Sequence, residues 1–138
     1  MSTTPAKFQL TNYFFNKFEL NFQKDTPKDV NVNFDVRGEY NESQNLFDIH
    51  LAFTAFPKTD REDNFIKVNC IGTFQLQDVN SLSEIPPYFY SNAIAILFPY
   101  LRSGVSILTV QANITALVLP TFNLVELGEP LRNNTTVV

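Results

Sequence analysis

The feature that most constrains this fold is an apolar segment, Asn92 to Val110, with the periodicity of a helix. Its large apolar residues recur at steps of three and four, which forms a continuous stripe on a helix of about 3.6 residues per turn. The first stripe consists of Ile94, Leu97, Phe98, Leu101, Val105 and Leu108, and a second, opposite stripe consists of Ile96, Tyr100, Ile107 and Val110. A helix that is apolar on two faces has to be buried on both. We therefore expect one face to cover the chain's own sheet and the other to contact a partner.

Proline residues limit where this helix can begin. Inside a helix, Pro99 would remove one backbone hydrogen bond and clash with the preceding turn, whereas proline is favoured as the first helical residue. Two alternatives therefore remain open: the helix is kinked at Pro99, or its main part begins there. The paired prolines before it disfavour helix up to Pro87, so Asp78 to Ser91 is expected to be a connector.

Four stretches before the helix alternate between apolar and polar residues, which is typical of half-buried strands. They begin near Phe8, Val30, Phe47 and Ile66. The first is interrupted by Asn12 and Asn16, which predicts a bulge around Tyr13 to Phe15. Four strands joined by polar links and followed by a helix, without βαβ units, indicate the α+β class. We expect a four-stranded antiparallel sheet packed on one long helix.

The length of 138 residues favours one domain over residues 1–138. Its ordered part is expected at about residues 7–127, since the polar segment from Glu126 onward resembles a loose tail. Pro120 predicts that the apolar segment Ala116 to Val125 is an extended edge segment. The first residues show no basic region followed by an apolar run, and no run of about 18 apolar residues occurs, so we expect a cytoplasmic protein without membrane insertion.

The charged and reactive residues argue against several function classes. A net charge of −4, with only 10 scattered Lys and Arg residues, argues against a nucleic-acid partner. His50 is the only histidine and lies on the polar side of its strand, where we expect a surface residue. Cys70 is the only cysteine, which excludes an intrachain disulfide and a Cys-based metal site. We predict no catalytic residue, no metal site, no cofactor and no enzymatic activity.

Two motifs resemble those of a known family. The first is Leu97-Phe-Pro-Tyr-Leu-Arg102, followed by an apolar helix, and the second is Leu119-Pro-Thr-Phe-Asn-Leu124. Together they are similar to the signature of the bacterial protein-export chaperone SecB. Phe18-Glu-Leu-Asn-Phe22 and Cys70-Ile-Gly-Thr-Phe74 match further SecB segments, so the resemblance extends from about Phe8 to Leu127. It implies an ATP-independent holdase that keeps unfolded chains soluble through apolar grooves, assembled as a dimer of dimers with helices between sheets.

The chain also departs from the family pattern. Typical members continue into a second apolar helix and a tail that docks the export motor, but here Gly128 and Pro130 argue against a helix of any length. Gln23 stands where the family has a second acidic residue. We therefore expect a divergent branch that does not bind the export motor as full members do. Some members of such branches guard the antitoxin of a toxin–antitoxin pair, and an oligomeric scaffold without client binding is a further alternative.

Aromatic residues provide the candidate sites. Tyr88, Phe89 and Tyr90 are adjacent, so they cannot all face one side of a helix or strand, and at least one should lie near the surface. Pro120 should keep the neighbouring apolar residues extended and away from the sheet interior. The predicted client-binding residues are Tyr88, Phe89, Tyr90, Leu119, Phe122 and Leu124. The second helical stripe, Ile96, Tyr100, Ile107 and Val110, is the predicted interface of a homo-oligomer, with a tetramer preferred over a dimer.

Overall fold

A five-stranded sheet covered by one long helix forms the core of the protein. The computed structural model describes residues 7–22, 30–57, 65–114, 119 and 122–138. The elements are β1 (Phe8–Asn21), β2 (Val30–Asn41), β3 (Leu46–Pro57), β4 (Phe65–Leu76), α1 (Pro87–Gln111), α2 (Gly128–Asn133) and β5 (Thr135–Val137). The strand order is β1-β4-β3-β2-β5, with β5 parallel to β2 and the other pairs antiparallel. The α+β class is confirmed, but the sheet has five strands rather than four.

The additional strand comes from the segment that was expected to be a loose tail, and that expectation is wrong. The Gly38 N–H donates to the Asn134 carbonyl at 3.1 Å, and the Val138 N–H donates to the Tyr40 carbonyl at 2.9 Å. The short helix α2 precedes this strand, so the prediction that Gly128 and Pro130 argue against a helix of any length is wrong for a helix of six residues. Pro130 lies in the first helical turn, where backbone N–H groups need no partner within the helix, so its missing N–H is tolerated.

The first apolar stripe of α1 faces the sheet, as predicted. Ile94, Leu97, Phe98, Leu101 and Val105 are buried and Leu108 is half-buried. Fully buried phenylalanines from three elements complete this core: Phe47, Phe53, Phe74 and Phe89. Helix and sheet approach each other closely at Gly72 of β4, where an added Cβ would lie 2.7 Å from Leu97 Cδ1.

The helix begins earlier than predicted and continues through Pro99. Pro87 is its first residue, which agrees with the preference of proline for that position, so the alternative of a start at Pro99 is wrong. Pro99 cannot donate to the carbonyl four residues earlier, which belongs to Ala95. Both residues are exposed, so this carbonyl lies on the solvent side of the helix, where water can satisfy it.

Two bulges divide β1. The register against β4 shifts between Leu10 and Asn12 and again between Phe15 and Lys17, on either side of the single bulge predicted around Tyr13 to Phe15. Each inserted residue moves the alternation of side chains by one position. Tyr13 is therefore paired with Gly72 and faces the helix side, whereas Phe14 is paired with Ile71 on the opposite face. In a regular strand Phe14 would share a face with Leu10, and the first bulge places these two residues on opposite faces instead.

Candidate functional site

The second stripe of α1 lies on the surface of the protein. Ile96, Tyr100, Ile107 and Val110 are 41%, 39%, 58% and 60% exposed, respectively. Large apolar side chains are normally enriched in the interior, so four of them along one helix face form an uncovered apolar surface. Their location matches the prediction of a second apolar face, and their role in an interface between subunits stays a prediction.

The edge strand β1 extends this surface. The Tyr13 ring stacks on the Tyr100 ring with centroids 4.0 Å apart, and Phe18 stacks on Phe15 at 4.8 Å. Tyr13 is 39% and Phe18 is 50% exposed. We call the combined surface of Tyr13, Phe18, Ile96, Tyr100 and Ile107 the edge face. The sequence did not predict the β1 residues of this face, because alternation does not show that β1 is an edge strand. Phe18 pairs with Val68 on the helix side of the sheet and is still half exposed.

The three adjacent aromatics of α1 divide between surface and core. Tyr88 is 53% exposed, whereas Phe89 is fully buried and Tyr90 is 3% exposed. Phe89 makes edge-to-face contacts with Phe8 and Phe47 at centroid distances of 5.0 Å each. At least one aromatic near the surface was correctly predicted, but of these three only Tyr88 offers substantial surface to another molecule.

The segment after α1 covers the β2 side of the helix. Phe122 is half-buried and its ring contacts Phe34 of β2 at 5.2 Å and Phe98 of α1 at 6.0 Å. Leu119 is 3% exposed and Leu124 is half-buried, so Leu119 does not lie on the surface. Pro120, which was expected to keep this segment extended, lies outside the described residues, as does Gln23.

The two predicted walls of the client site are not brought together in the described part of the chain. The ring contact of Tyr88 is with Phe8 of β1, at 6.5 Å, whereas Phe122 contacts rings on β2 and α1. The structure therefore places them in two separate aromatic clusters. The first lies at the N-terminal end of α1 and the second between α1 and β2.

The Leu97–Arg102 motif contributes to both sides of α1. Phe98 is buried beneath Phe122, and the Arg102 guanidinium lies over the Phe98 ring at 5.1 Å from its centroid. This contact has the geometry of a cation–π interaction. Tyr100 points to the other side, where it stacks on Tyr13. The motif therefore attaches the C-terminal segment on one side and presents an aromatic ring on the edge face.

The sheet face opposite α1 carries a polar network around His50. Its Nε2 lies 2.7 Å from Glu39 Oε1, and its Nδ1 lies 3.2 Å from an Arg37 guanidinium nitrogen. The pKa of the Glu39 carboxyl is lowered, chiefly by the hydrogen bond from Arg37. A shallow depression of about 220 Å³ adjoins this network. His50 is half-buried between Glu39 and Arg37, and it lies on the polar face of its strand, as predicted.

Among the residues that the structure describes, Cys70 and the acidic side chains show no arrangement typical of a reactive centre. Cys70 is fully buried, and burial raises the pKa of its thiol to about 11, which disfavours the nucleophilic thiolate. Within the described ranges, no group of three or more His, Cys, Asp or Glu side chains is close enough to bind a metal ion.

By length and composition, α1 could cross a membrane. Its mean hydropathy reaches 1.6, and 44% of the most apolar window is buried within the protein. The core helix of a folded domain meets the same criterion, and here the first stripe of α1 packs on the sheet. Among the described residues, α1 is the one helix with this property.

Comparisons with known proteins agree with this architecture. The family model of SecB, the preprotein translocase subunit, matches residues 16–129. An uncharacterized protein of Methanocaldococcus jannaschii is 30% identical over 122 residues, which covers 83% of this chain and 78% of that protein. A Mycobacterium tuberculosis SecB-like chaperone, solved in complex with a ChAD peptide from the HigA1 antitoxin, superposes with a TM-score of 0.69 at 13% identity. The superposition covers 84% of this chain and 91% of that one.

Proposed function

The chain belongs to the SecB family, and we propose that it acts as an ATP-independent holdase that binds non-native polypeptides and keeps them soluble. Family membership and the SecB-like fold together support a chaperone role. The observation that carries the proposal is that many large apolar side chains are exposed, although the protein also has a filled hydrophobic core. On α1 and on the face of β1 that lies toward α1, these exposed side chains are Tyr13, Phe18, Tyr88, Ile96, Tyr100, Ile107 and Val110. Broad apolar surface suits unfolded clients, which differ in sequence and present no common polar group.

Client binding is assigned to the two separate aromatic clusters. Tyr88 provides exposed surface at the N-terminal end of α1, and Phe122 with Leu124 provides half-buried surface beside β2. The remaining predicted residues are buried and belong to the core beneath these surfaces: Phe89, Tyr90 and Leu119. An aromatic side chain can bury about 150–250 Å² in a contact, so a few such rings give releasable affinity.

Assembly is assigned to the edge face. Tyr13 on β1 and Tyr100 on α1 belong to the same stacked pair, so a second subunit can cover strand and helix together. Symmetry makes such a contact self-complementary, because the same patch is used twice. This surface supports the proposal of a homo-oligomer. The preference for a tetramer over a dimer rests on the dimer of dimers that the SecB resemblance implies, because one self-complementary patch joins only two subunits.

A second candidate is a chaperone dedicated to the antitoxin of a toxin–antitoxin pair. It is favoured by the complex of the M. tuberculosis SecB-like chaperone with an antitoxin peptide. In this role the same apolar surfaces would bind one preferred segment rather than many clients. Pull-downs from the source cell, followed by identification of the captured proteins, distinguish one dominant partner from a broad set of non-native chains.

The test of the proposed function is suppression of aggregation without ATP. A chemically unfolded protein is diluted into buffer with the parent, and scattering at a visible wavelength is followed. Tyr88→Ser combined with Phe122→Ser should protect less, because both clusters lose a ring. Phe56→Ser is the matched control, since Phe56 is an exposed ring at 39% on the opposite sheet face. Circular dichroism establishes that each variant is folded.

Two results would contradict the proposal. If the parent does not slow aggregation at a molar excess, the holdase function is wrong and an oligomeric scaffold is the better account. If the parent protects and the folded double variant protects equally well, clients bind elsewhere on the protein.

A further inference from the structure

A shallow depression lies at Ala52 of β3, on the sheet face opposite α1. Its volume is about 220 Å³. Ala52 pairs with Asp35 of β2 on one side and with Asn69 of β4 on the other. Side chains that are paired across strands stand on the same face, so the short side chain of Ala52 leaves a space between longer ones. The side chains around this space are Asn16, Asp35, Arg37, His50, Asn69 and Ile71.

Two groups of opposite charge stand on the β2 side of the depression. Asp35 and Arg37 are two positions apart in β2, so their side chains leave the same face from Cα atoms about 7 Å apart. The Asp35 carboxylate has no hydrogen-bond or ion-pair partner among the described residues. The depression therefore presents one anionic and one cationic group next to each other.

Hydrogen bonds hold the Arg37 guanidinium in place. One of its nitrogens lies 2.9 Å from Glu39 Oε1, and another lies 3.2 Å from His50 Nδ1. His50 Nε2 lies 2.7 Å from the same Glu39 oxygen. An ionised carboxylate can only accept, so Nε2 carries the proton and Nδ1 accepts from Arg37. Both ring nitrogens of His50 are thereby used, whereas the other N–H groups of Arg37 remain available to a ligand.

We propose that this depression binds a free α-amino acid with an apolar side chain. Its ammonium group would bind the Asp35 carboxylate, and its carboxylate would bind Arg37, whose parallel N–H groups suit planar carboxylates. Its side chain would lie over Ala52 and against Ile71. An α-amino acid carries both charged groups on one carbon atom, which matches two adjacent side chains of opposite charge. The proposal goes beyond the holdase function and does not depend on it.

Size and polarity restrict the ligand further. A cavity of about 150 Å³ holds benzene, so 220 Å³ has room for about nine non-hydrogen atoms, as in leucine or isoleucine. The amide groups of Asn16 and Asn69 can form hydrogen bonds with the ligand from the side of β1 and β4. A residue inside a peptide lacks both charges, so the free amino acid is the better match. In an open site, a ligand of this size should have a dissociation constant on the order of 1 mM.

The test is an NMR titration that uses His50 as the reporter. His50 is the only histidine and lies beside the depression, so its ring signals report binding there. L-Leucine, added at fixed pH, should shift these signals in a saturable way. Isocaproate lacks the ammonium group and isoamylamine lacks the carboxylate, so each should bind about tenfold more weakly through the loss of one charge-assisted contact. N-acetyl-leucine amide has neither charge and represents a peptide, and it should not bind detectably.

Three variants assign the contacts. Asp35→Asn should remove the preference for L-leucine over isocaproate, and Arg37→Gln should remove the preference over isoamylamine. Each variant deletes the partner of the group that the analogue lacks. Ala52→Leu should abolish binding because it fills the depression, and Ala52 lies on the open face, where the added atoms can extend toward solvent. Phe56→Ser is the control, because Phe56 is on the same sheet face but outside the lining, and binding should be unchanged.

The outcomes decide this proposal separately from the holdase function. Saturable binding of L-leucine, with each preference lost in its own folded variant, supports the site. The proposal is wrong if L-leucine does not shift the His50 signals far above the expected dissociation constant, or if N-acetyl-leucine amide binds equally well. It is also wrong if folded Asp35→Asn and Arg37→Gln keep both preferences. A parent that binds L-leucine without suppressing aggregation refutes the holdase proposal alone.

Discussion

Gly72→Ala should destabilise the protein because a methyl group has no room between β4 and α1. A Cβ at this position would lie 2.7 Å from Leu97 Cδ1, 3.1 Å from Leu97 Cδ2 and 3.3 Å from Leu10 Cδ1. Carbon atoms in favourable contact are separated by roughly 3.5–4.0 Å. Leu97 is fully buried, so its side chain has no solvent to move into. The helix has to shift away from the sheet or Leu97 has to adopt a poor rotamer.

The size of this effect follows from two opposing contributions. Overpacking of a filled core costs about 1–3 kcal/mol. Alanine in place of glycine within a strand recovers about 0.5–1 kcal/mol, because the unfolded chain has less conformational entropy to lose. The difference between the two contributions spans roughly 0–2.5 kcal/mol, and we expect Gly72→Ala to lower the free energy of unfolding by about 1.3 kcal/mol, its central value.

Gly104→Ala is the matched control. Its Cβ would lie equally close to a neighbour, at 2.7 Å from two ring atoms of Phe15. Phe15 is only half-buried on the edge strand, and its ring neighbours Tyr13 and Phe18 are themselves exposed, so its ring can shift more easily than the fully buried Leu97. Alanine also gains about 1 kcal/mol over glycine inside a helix. We expect this variant to be as stable as the parent within about 0.5 kcal/mol.

Urea denaturation followed by circular dichroism, at one fixed protein concentration, measures both variants. A second test repeats Gly72→Ala in a Leu97→Ala background, where the shortened side chain leaves space for the new methyl group and the cost should shrink. The reasoning predicts that Gly72→Ala loses more stability than Gly104→Ala, because Leu97 is buried and Phe15 is not. An equal loss of stability in the two variants would refute it. An undiminished cost in the Leu97→Ala background would show that Leu97 is not the obstacle.

Three further predictions concern assembly, ionisation and the C-terminal strand. Light scattering should find a stable homo-oligomer, and Tyr100→Glu with Ile107→Glu should dissociate it, because unpaired buried charges cost several kcal/mol; a monomeric parent, or an unchanged oligomer in the variant, would contradict this. The free energy of unfolding should fall as pH rises from 9 to about 11, since the Cys70 thiol ionises in the unfolded chain before it ionises in the folded one. Cys70→Ala should reduce that fall, and an identical pH profile would contradict the assignment. Truncation after Asn133 removes the Asn134 carbonyl, which accepts the hydrogen bond from the Gly38 N–H, so amide hydrogen exchange at Gly38 should become faster. The exchange rate of the Phe47 amide in β3 should stay the same.

Several parts of the candidate site could be predicted from local sequence. The second stripe of α1 was identified because steps of three and four residues define a helix face wherever the helix lies. Exposure of at least one ring among Tyr88, Phe89 and Tyr90 followed from their adjacency. Which ring is exposed could not be predicted, because the rotation of α1 over the sheet depends on packing against Phe8, Phe47 and Phe74.

By itself, the sequence determined the α+β class, the four long strands and the face of α1 that covers them. These features depend on periodicity and turn residues, which act over a few neighbouring positions. Only the tertiary structure decided that two bulges turn Phe14 away from the helix side, and that residues 135–137 pair with β2. Both depend on hydrogen bonds between residues far apart in the chain, and the alternation within a single strand carries no information about its partner's register.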